Sequence, residues 1–112
     1  MASSVIKNNN GVVTENCPLG SNSIVDRGSV KVRKNGRVVT VWGSINLTAS
    51  ATSADTAFTV PASYIDPHST MYGTLTDQSS NTYIFQIPGN GIVTCTGMTA
   101  GQWNSLVATY II

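Results

Sequence analysis

The feature that most constrains the fold is a pair of alternating segments on either side of Asn35-Gly36. Before this dipeptide, Val30 and Val32 alternate with basic residues, and after it residues 38–47 alternate apolar and polar side chains. Alternation with a period of two puts the apolar side chains on one face of a strand. Asn-Gly favours a two-residue type I′ turn, because both central residues of that turn need a positive φ. Residues 29–47 are therefore predicted to form a β-hairpin with one buried face.

The rest of the chain predicts more short strands and no helix. No window of helical length keeps apolar residues at i, i+3 and i+4, and Gly, Pro and Asn interrupt the apolar runs. Strands are predicted at residues 57–60, 70–76, 83–87, 92–96 and 106–111, with Pro88-Gly89-Asn90-Gly91 as a hairpin loop between the third and fourth. The predicted fold is all-β, a small antiparallel β-barrel or sandwich head formed by residues 29–112. Residues 1–28 are predicted to be an N-terminal linker or extended lead-in.

Composition and cysteine placement exclude several classes of protein. The formal net charge is +1 and only 10% of residues are charged, whereas nucleic-acid binding requires a broad basic surface. No apolar run approaches the ~20 residues that span a bilayer, and the N-terminus lacks the pattern of a secretory signal. Cys17 and Cys95 lie far apart without a cluster of other ligands, so neither a metal nor another cofactor is expected. Cys95 is predicted to be buried and Cys17 to be an exposed thiol.

Candidates for catalysis are few. His68 is the only histidine, and histidine is the side chain whose ordinary pKa lies near neutrality. Its neighbours Asp66 and Ser69 are too close to it along an irregular turn to form a triad. Asp77 and the other carboxylates fall in predicted turns and loops, where aspartate is common for turn chemistry alone. The sequence therefore favours a binding protein over an enzyme, and no catalytic residue is predicted.

The aromatic residues indicate a saccharide site, because a flat ring can pack against the C–H face of a sugar. Strand alternation puts Trp42 on the polar face of residues 38–47, and Trp103 is a further candidate in a predicted loop. The predicted ligand site lies in a groove between subunits and consists of Trp42, Tyr83, Gln86 and His68. Hydrogen-bonding side chains next to a flat apolar face are what a sugar-reading surface requires.

Five of the six basic residues lie between Arg27 and Arg37. Two interpretations of this cluster stay open. The charges either protect the edge of a solvated hairpin or form a strip that meets a phosphate-bearing polymer. Apolar residues on the second faces of strands, Ile84, Val93 and Ile111 among them, predict burial in an oligomer, and a homotrimer is expected.

Two segments resemble receptor-binding head domains of bacteriophage tail fibres and baseplates, especially those of phages of Gram-positive, lactococcal-type hosts. They are Ser23–Gly28 followed by Val32–Gly43, and Ile87-Pro88-Gly89-Asn90-Gly91-Ile92-Val93. The resemblance spans residues 23–112. It implies a homotrimeric β-barrel head at the virion tail tip, joined to the rest of a fibre or baseplate, that binds a host cell-surface saccharide near a subunit interface. Gln86 stands where such heads commonly have an acidic residue.

The resemblance also implies assembly in the reducing cytoplasm of the host, which suits two unpaired cysteines. Two other functions stay open at this point. One is a structural trimerisation or capping domain of a fibre that binds no ligand. The other is a hydrolase tip that degrades cell-wall polymer, which would need a carboxylate pair or a working His68.

Overall fold

The computed structural model describes residues 6–7 and 12–112, and strands make up 54% of it. The strands are β1 (Ile6–Lys7), β2 (Val13–Asn16), β3 (Val25–Asn35), β4 (Val38–Leu47), β5 (Thr56–Thr59), β6 (Met71–Asp77), β7 (Thr82–Ile87), β8 (Ile92–Thr94) and β9 (Trp103–Ile111). One 3₁₀ turn, Ala62–Tyr64, follows β5. The predicted all-β class is confirmed. None of the helical structure in the described residues is long or apolar enough to cross a membrane.

Seven strands form one antiparallel sheet in the order β1-β2-β3-β4-β9-β6-β7, and β5 pairs with β8 in a separate two-stranded sheet. The longest pairings join β4 to β3 on one side and to β9 on the other. Within the described residues β1 and β7 are the two ends of the large sheet, so no closed barrel forms. A closed barrel would need these two end strands to pair with each other. After β7 the chain instead continues into β8, which belongs to the small sheet.

The hairpin between β3 and β4 forms as predicted, but with a different turn. Asn35 pairs with Val38, so the two central residues are Gly36 and Arg37 rather than Asn35 and Gly36. Gly36 has a φ of 62°, whereas Arg37 keeps a negative φ. One glycine at the first central position is the pattern of a type II′ turn, which matches the twist of a hairpin as well as type I′ does.

The core lies between the large sheet and the small one. Inward residues of the two layers meet directly, as in the edge-to-face contact between Phe58 and Phe85, whose ring centroids are 6.3 Å apart. On β4 the buried residues are Val39, Val41, Ile45 and Leu47, the four that alternation predicted. One apolar face of the large sheet is thereby removed from water, which is the main favourable term in folding.

The predicted hairpin between residues 83–87 and 92–96 is wrong. β7 pairs with β6, and β8 pairs with β5, so the loop from Pro88 to Gly91 carries the chain from the large sheet to the small one. Gly91 donates its N–H to the Pro88 carbonyl at 2.8 Å, and its own carbonyl accepts from Val60 at 2.8 Å. The loop has the chemistry of a turn, but its hydrogen bond to Val60 ties it to the end of β5.

The segment predicted as a lead-in contributes to the fold where it is described. β2 pairs with β3, and the predicted boundary at residue 28 lies inside β3; residues 1–5 and 8–11 lie outside the described part. Cys17 is only 4% exposed, so its predicted exposure is wrong. Burial raises the pKa of its thiol to about 12, with Glu15 as a smaller cause. Cys95 is buried as predicted, and both are free thiols.

The pairing of β3 with β4 depends on two glycines that let the backbones approach closely. Gly28 lies opposite Ile45, and Gly43 lies opposite Val30. A Cβ on Gly43 would overlap the Ser29 carbonyl oxygen and lie 2.7 Å from the Val30 Cα. Both clashing atoms belong to backbone in the middle of a long ladder, so neither can move aside cheaply.

Gly43→Ala is therefore expected to lower the free energy of unfolding by about 3 kcal/mol, the upper end of typical overpacking costs. Gly36→Ala is the control. Its turn has a positive φ but no heavy atom within 4 Å of an added Cβ, so backbone strain alone should cost about 1–2 kcal/mol. Urea unfolding followed by tryptophan fluorescence measures both. Equal losses would contradict the role given to the close approach at Gly43.

Candidate functional site

One face of the large sheet points away from the core, and we call it the open face. Along β3, β4 and β9 it carries every second residue, and the register lines these up in rows across the strands. One row contains Lys31, Trp42 and Val107, the next Ser29, Ser44 and Ser105, and a third Arg27, Asn46 and Trp103. The face combines aromatic, hydroxyl, amide and basic groups on rigid strands. Such groups on fixed backbone suit recognition of a polar ligand.

Two arginines of β3 lie over the two tryptophans of the chain. The Arg33 Cζ atom is 5.8 Å from the ring centroid of Trp42, and the Arg27 Cζ atom is 5.9 Å from that of Trp103. Both distances fall within the range of a cation–π interaction. Trp42 and Trp103 are half-buried. We call these the arginine–tryptophan pairs, and they place each indole next to a guanidinium with several N–H donors.

Hydroxyl groups occupy the open face between the two pairs. The Ser44 and Ser105 Oγ atoms are 3.0 Å apart across β4 and β9, and Ser29 lies beside Ser44 on β3. A serine hydroxyl can both donate and accept. The row can therefore hydrogen-bond a polyhydroxylated ligand lying between the pairs.

The β6–β7 end of the open face has no charged side chain, and it carries two exposed apolar residues among threonines and Gln86. Tyr72 is 58% exposed and Ile84 is 70% exposed. With Gly73 and Thr74 they line a shallow depression of about 150 Å³. Val93, which the sequence analysis grouped with Ile84 and Ile111 as an outward apolar residue, is buried in the core, because β8 turns it toward the large sheet. The predicted outward position of Val93 is therefore wrong, whereas Ile111 is 63% exposed as expected.

The four predicted site residues do not form one patch within a single chain. Trp42 and Gln86 both lie on the open face, but β9 and β6 separate their strands. Tyr83 is in line with Phe85 and Ile87 on the opposite face of β7. His68 lies in a turn, where its backbone N–H donates to Asp66 Oδ1 at 2.9 Å. Their meeting between subunits stays a prediction.

Two of the four tyrosines are buried. Tyr64 and Tyr110 belong to the core, and the Tyr110 hydroxyl donates to the Tyr64 carbonyl at 2.7 Å. Burial, followed by a hydrogen bond with Glu15, raises the pKa of Tyr64 to about 12. Burial also raises the pKa of Tyr110. These two rings are therefore structural, and a ligand cannot reach them.

Asp77, weighed in the sequence analysis as a candidate carboxylate, has a structural role. It is 6% exposed, and its Oδ2 accepts from Thr99 Oγ1 at 2.7 Å. Its Oδ1 accepts the backbone N–H groups of Ser79 and Asn81, each at 2.9 Å. The Thr99 hydroxyl, and then the donors of Asn81 and Ser79, hold the pKa of Asp77 below its ordinary value against the opposing effect of burial. The carboxylate closes the turn from β6 to β7.

The fully buried Asn104 on β9 completes this arrangement. Its Oδ1 accepts from Thr99 N at 3.0 Å, and its Nδ2 donates to the carbonyls of Thr99 and Gln102 at 3.1 and 3.0 Å. Asp77 and Asn104 are opposite each other in the ladder between β6 and β9. Together they fix the loop that precedes Trp103. The sequence alone placed Trp103 in a loop, but it is the first residue of β9.

Asp77→Asn is expected to destabilise the protein at neutral pH, because an amide offers one acceptor where the carboxylate offers two. Since the folded-state pKa is lowered, the wild type should have the full stabilisation above the ordinary pKa of 3.8 and lose it as pH falls through the lower folded-state pKa. Thermal unfolding across this range should therefore show a pH dependence that is smaller in Asp77→Asn.

The control is Asp26→Asn, since Asp26 is exposed and forms only a surface ion pair with Arg27 at 3.6 Å. Such pairs contribute little, and this variant should keep the wild-type pH dependence. If Asp77→Asn and Asp26→Asn behave alike, the structural role of Asp77 is wrong.

A larger cavity of about 350 Å³ lies where the chain leaves β2 and crosses to the small sheet. It is lined by Asn16, Cys17, Leu19, Gly28, Ser29 and Val30. Apart from the Cys17 thiol, the hydrogen-bonding side chains among these residues are those of Asn16 and Ser29. Among the described residues no group of three histidine, cysteine or carboxylate side chains converges as a metal site would require. The arginine–tryptophan pairs are therefore the more developed recognition feature.

No model of a known protein family matches the chain, and no curated protein matches it in sequence.

Proposed function

We propose that this domain is a non-catalytic adhesion domain of a phage or prophage tail tip, which binds a saccharide on the surface of the host cell. The tail-tip part of the proposal rests on the resemblance of residues 23–112. The observation that supports ligand binding is the open face, where two tryptophans, a serine row and three basic residues lie on strands of one sheet. An indole offers an apolar surface to a sugar ring, and the neighbouring hydroxyl and guanidinium groups bond to its oxygens.

We favour binding over hydrolysis because of what surrounds the candidate acids. A general acid must carry a proton near neutral pH, and Asp77 has a lowered pKa and accepts hydrogen bonds through both oxygens. Asp66 accepts from the backbone of His68 and from the Ser69 hydroxyl at 3.3 Å, as expected of a turn. A hydrolase tip therefore has less support than an adhesion domain.

The proposal includes a homotrimer in which part of the open face is covered by neighbouring copies. Ile84, Tyr72 and Ile111 are each more than half exposed, and Ile84 and Tyr72 line one depression. Exposed apolar side chains that lie together are typical of interfaces. The Tyr72 and Ile84 part of the β6–β7 end, which has no charge, suits the interface, while the basic β3 side suits the ligand. In the proposed groove between subunits, Gln86 would reach the ligand bound by the β3 side of a neighbouring copy. A purely structural capping domain is the second candidate, favoured by the same exposed apolar residues.

Light scattering at micromolar concentration is expected to give a mass three times the 11.8 kDa of one chain. Ile84→Asp should lower this mass, because it would bury an unpaired carboxylate at the interface. Ala54→Asp adds the same charge on an exposed loop residue and should leave the mass unchanged. A wild-type mass near that of one chain would rule out the trimer.

Trp42→Ala and Gln86→Ala test the ligand site, each assayed for oligomer mass and for adsorption to host cell walls. We expect both to stay trimeric. Trp42→Ala should lose most adsorption because the platform is gone, and Gln86→Ala should lose less because one amide is removed. Dissociation of the Trp42 variant would assign that ring to the interface instead. Wild-type adsorption by both trimeric variants would overturn the assigned site, and no adsorption by the wild type would favour the capping domain.

A further inference from the structure

The open face separates charge from apolar surface in a way that saccharide binding alone does not require. Arg27, Lys31 and Arg33 all lie on the open face of β3. The β4 residues opposite them are Asn46, Trp42 and Thr40, none of which is charged. The cations are therefore lined up along one strand beside neutral neighbours.

These cations are little neutralised by acids. Within the described residues the one ion pair is that between Arg27 and Asp26, and both side chains are well exposed, so its energy is small. On the neighbouring strand β2, Glu15 is opposite the buried Val32 and so belongs to the other face. Lys31 and Arg33 have no carboxylate partner in the described part of the chain.

Each arginine is positioned by the indole beneath it. A guanidinium held over an aromatic ring keeps its N–H donors at the rim, where they can bind a phosphate or carboxylate through two bonds. The same contact partly covers the indole. A ligand that binds the cation is therefore favoured, whereas a neutral sugar that needs only the ring is disfavoured. The arginine–tryptophan pairs are thus better suited to an anionic group next to a sugar or polyol than to an uncharged ring.

The spacing of the two pairs indicates a polymer. Trp103 is opposite Asn46, and Asn46 is four residues from Trp42 along β4, so the pairs are about 13 Å apart along the strand. The serine row lies between them. A ligand that contacts both pairs must be extended over this length and must bring polar groups to the serines.

We propose that the open face of β3, β4 and β9 binds a linear polyanionic glycan or polyol polymer, with one oxyanion at each arginine–tryptophan pair and hydroxyl groups over the serine row. This inference rests on the proposed adhesion function and names the class of its ligand. The shared chemistry is a repeated oxyanion on a hydroxylated chain, supplied either by phosphodiesters or by carboxylates.

Fluorescence anisotropy with labelled probes tests it. The probes are poly(glycerol phosphate) oligomers of increasing length, polygalacturonate oligomers for the carboxylate, neutral dextran oligomers, and oligothymidylate as a polyanion of another class. We expect one or both charged glycan-type probes to bind more tightly than dextran, with an affinity that rises with length and falls with salt. The better of the two charged probes identifies the oxyanion.

Arg33→Gln should weaken binding of the better charged probe by about ten-fold, as expected for the loss of a hydrogen bond between charged groups. Arg33→Lys, which keeps the charge but not the planar donor set, should recover only part of this loss. Lys34→Gln is the matched control, since it removes an equal charge from the next residue of β3, which faces the other way. In Arg27→Gln the gain with length should disappear, because one of the two anchoring points is missing.

Dextran binding as tight as that of the charged probes, or equal losses in Arg33→Gln and Lys34→Gln, would overturn the inference. Preference for oligothymidylate over every glycan probe would also overturn it and point to a nucleic acid. Adsorption to host cell walls distinguishes a failure of this inference from a failure of the proposed function. If adsorption persists after phosphate and carboxylate groups are removed from the walls, the adhesion function stands and the polyanion inference fails. If untreated walls bind nothing, the adhesion function itself fails.

Discussion

The structure depends on the pairing of β4 with β3 on one side and β9 on the other. The ladder between β3 and β4 needs two close backbone approaches, at Gly28 and Gly43, where no side chain fits. Once they form, strand alternation decides the rest. One face carries the valines and isoleucines that pack under the small sheet, and the other carries both tryptophans and three of the six basic residues of the chain.

The same ladders create the candidate site. Arg33 and Trp42 come from different strands, and so do Arg27 and Trp103, yet the register sets each guanidinium over an indole. The buried Asp77 and Asn104 fix the loop that leads into β9, and so set where Trp103 begins its strand. These two buried polar side chains therefore help to position Trp103 on the open face, because each buried donor or acceptor must find a hydrogen-bond partner.

The open face has two ends with different chemistry, which gives it room for two kinds of contact. Its β3 side is basic and hydroxylated, whereas its β6–β7 side is uncharged and exposes Tyr72 and Ile84. Exposed apolar side chains such as Ile84 gain by association with other apolar surface, while cations and hydroxyls keep water or a polar ligand. A domain with both can assemble through one end and bind through the other.

Alternation alone determined the strand character of residues 38–47, its four buried residues, and the polar surroundings of Trp42, because side chains on a strand have a fixed period of two. The turn at Gly36, the crossing at Pro88 and the burial of Cys17 and Val93 were decided by tertiary structure. In each of these, a hydrogen bond or packing contact from a distant segment outweighs the local preference, as Val60 does when it binds the Gly91 carbonyl. The basic cluster was visible in the sequence, but only strand register could place its arginines on the two tryptophans, since the paired residues lie on different strands, up to 76 positions apart in the Arg27–Trp103 pair.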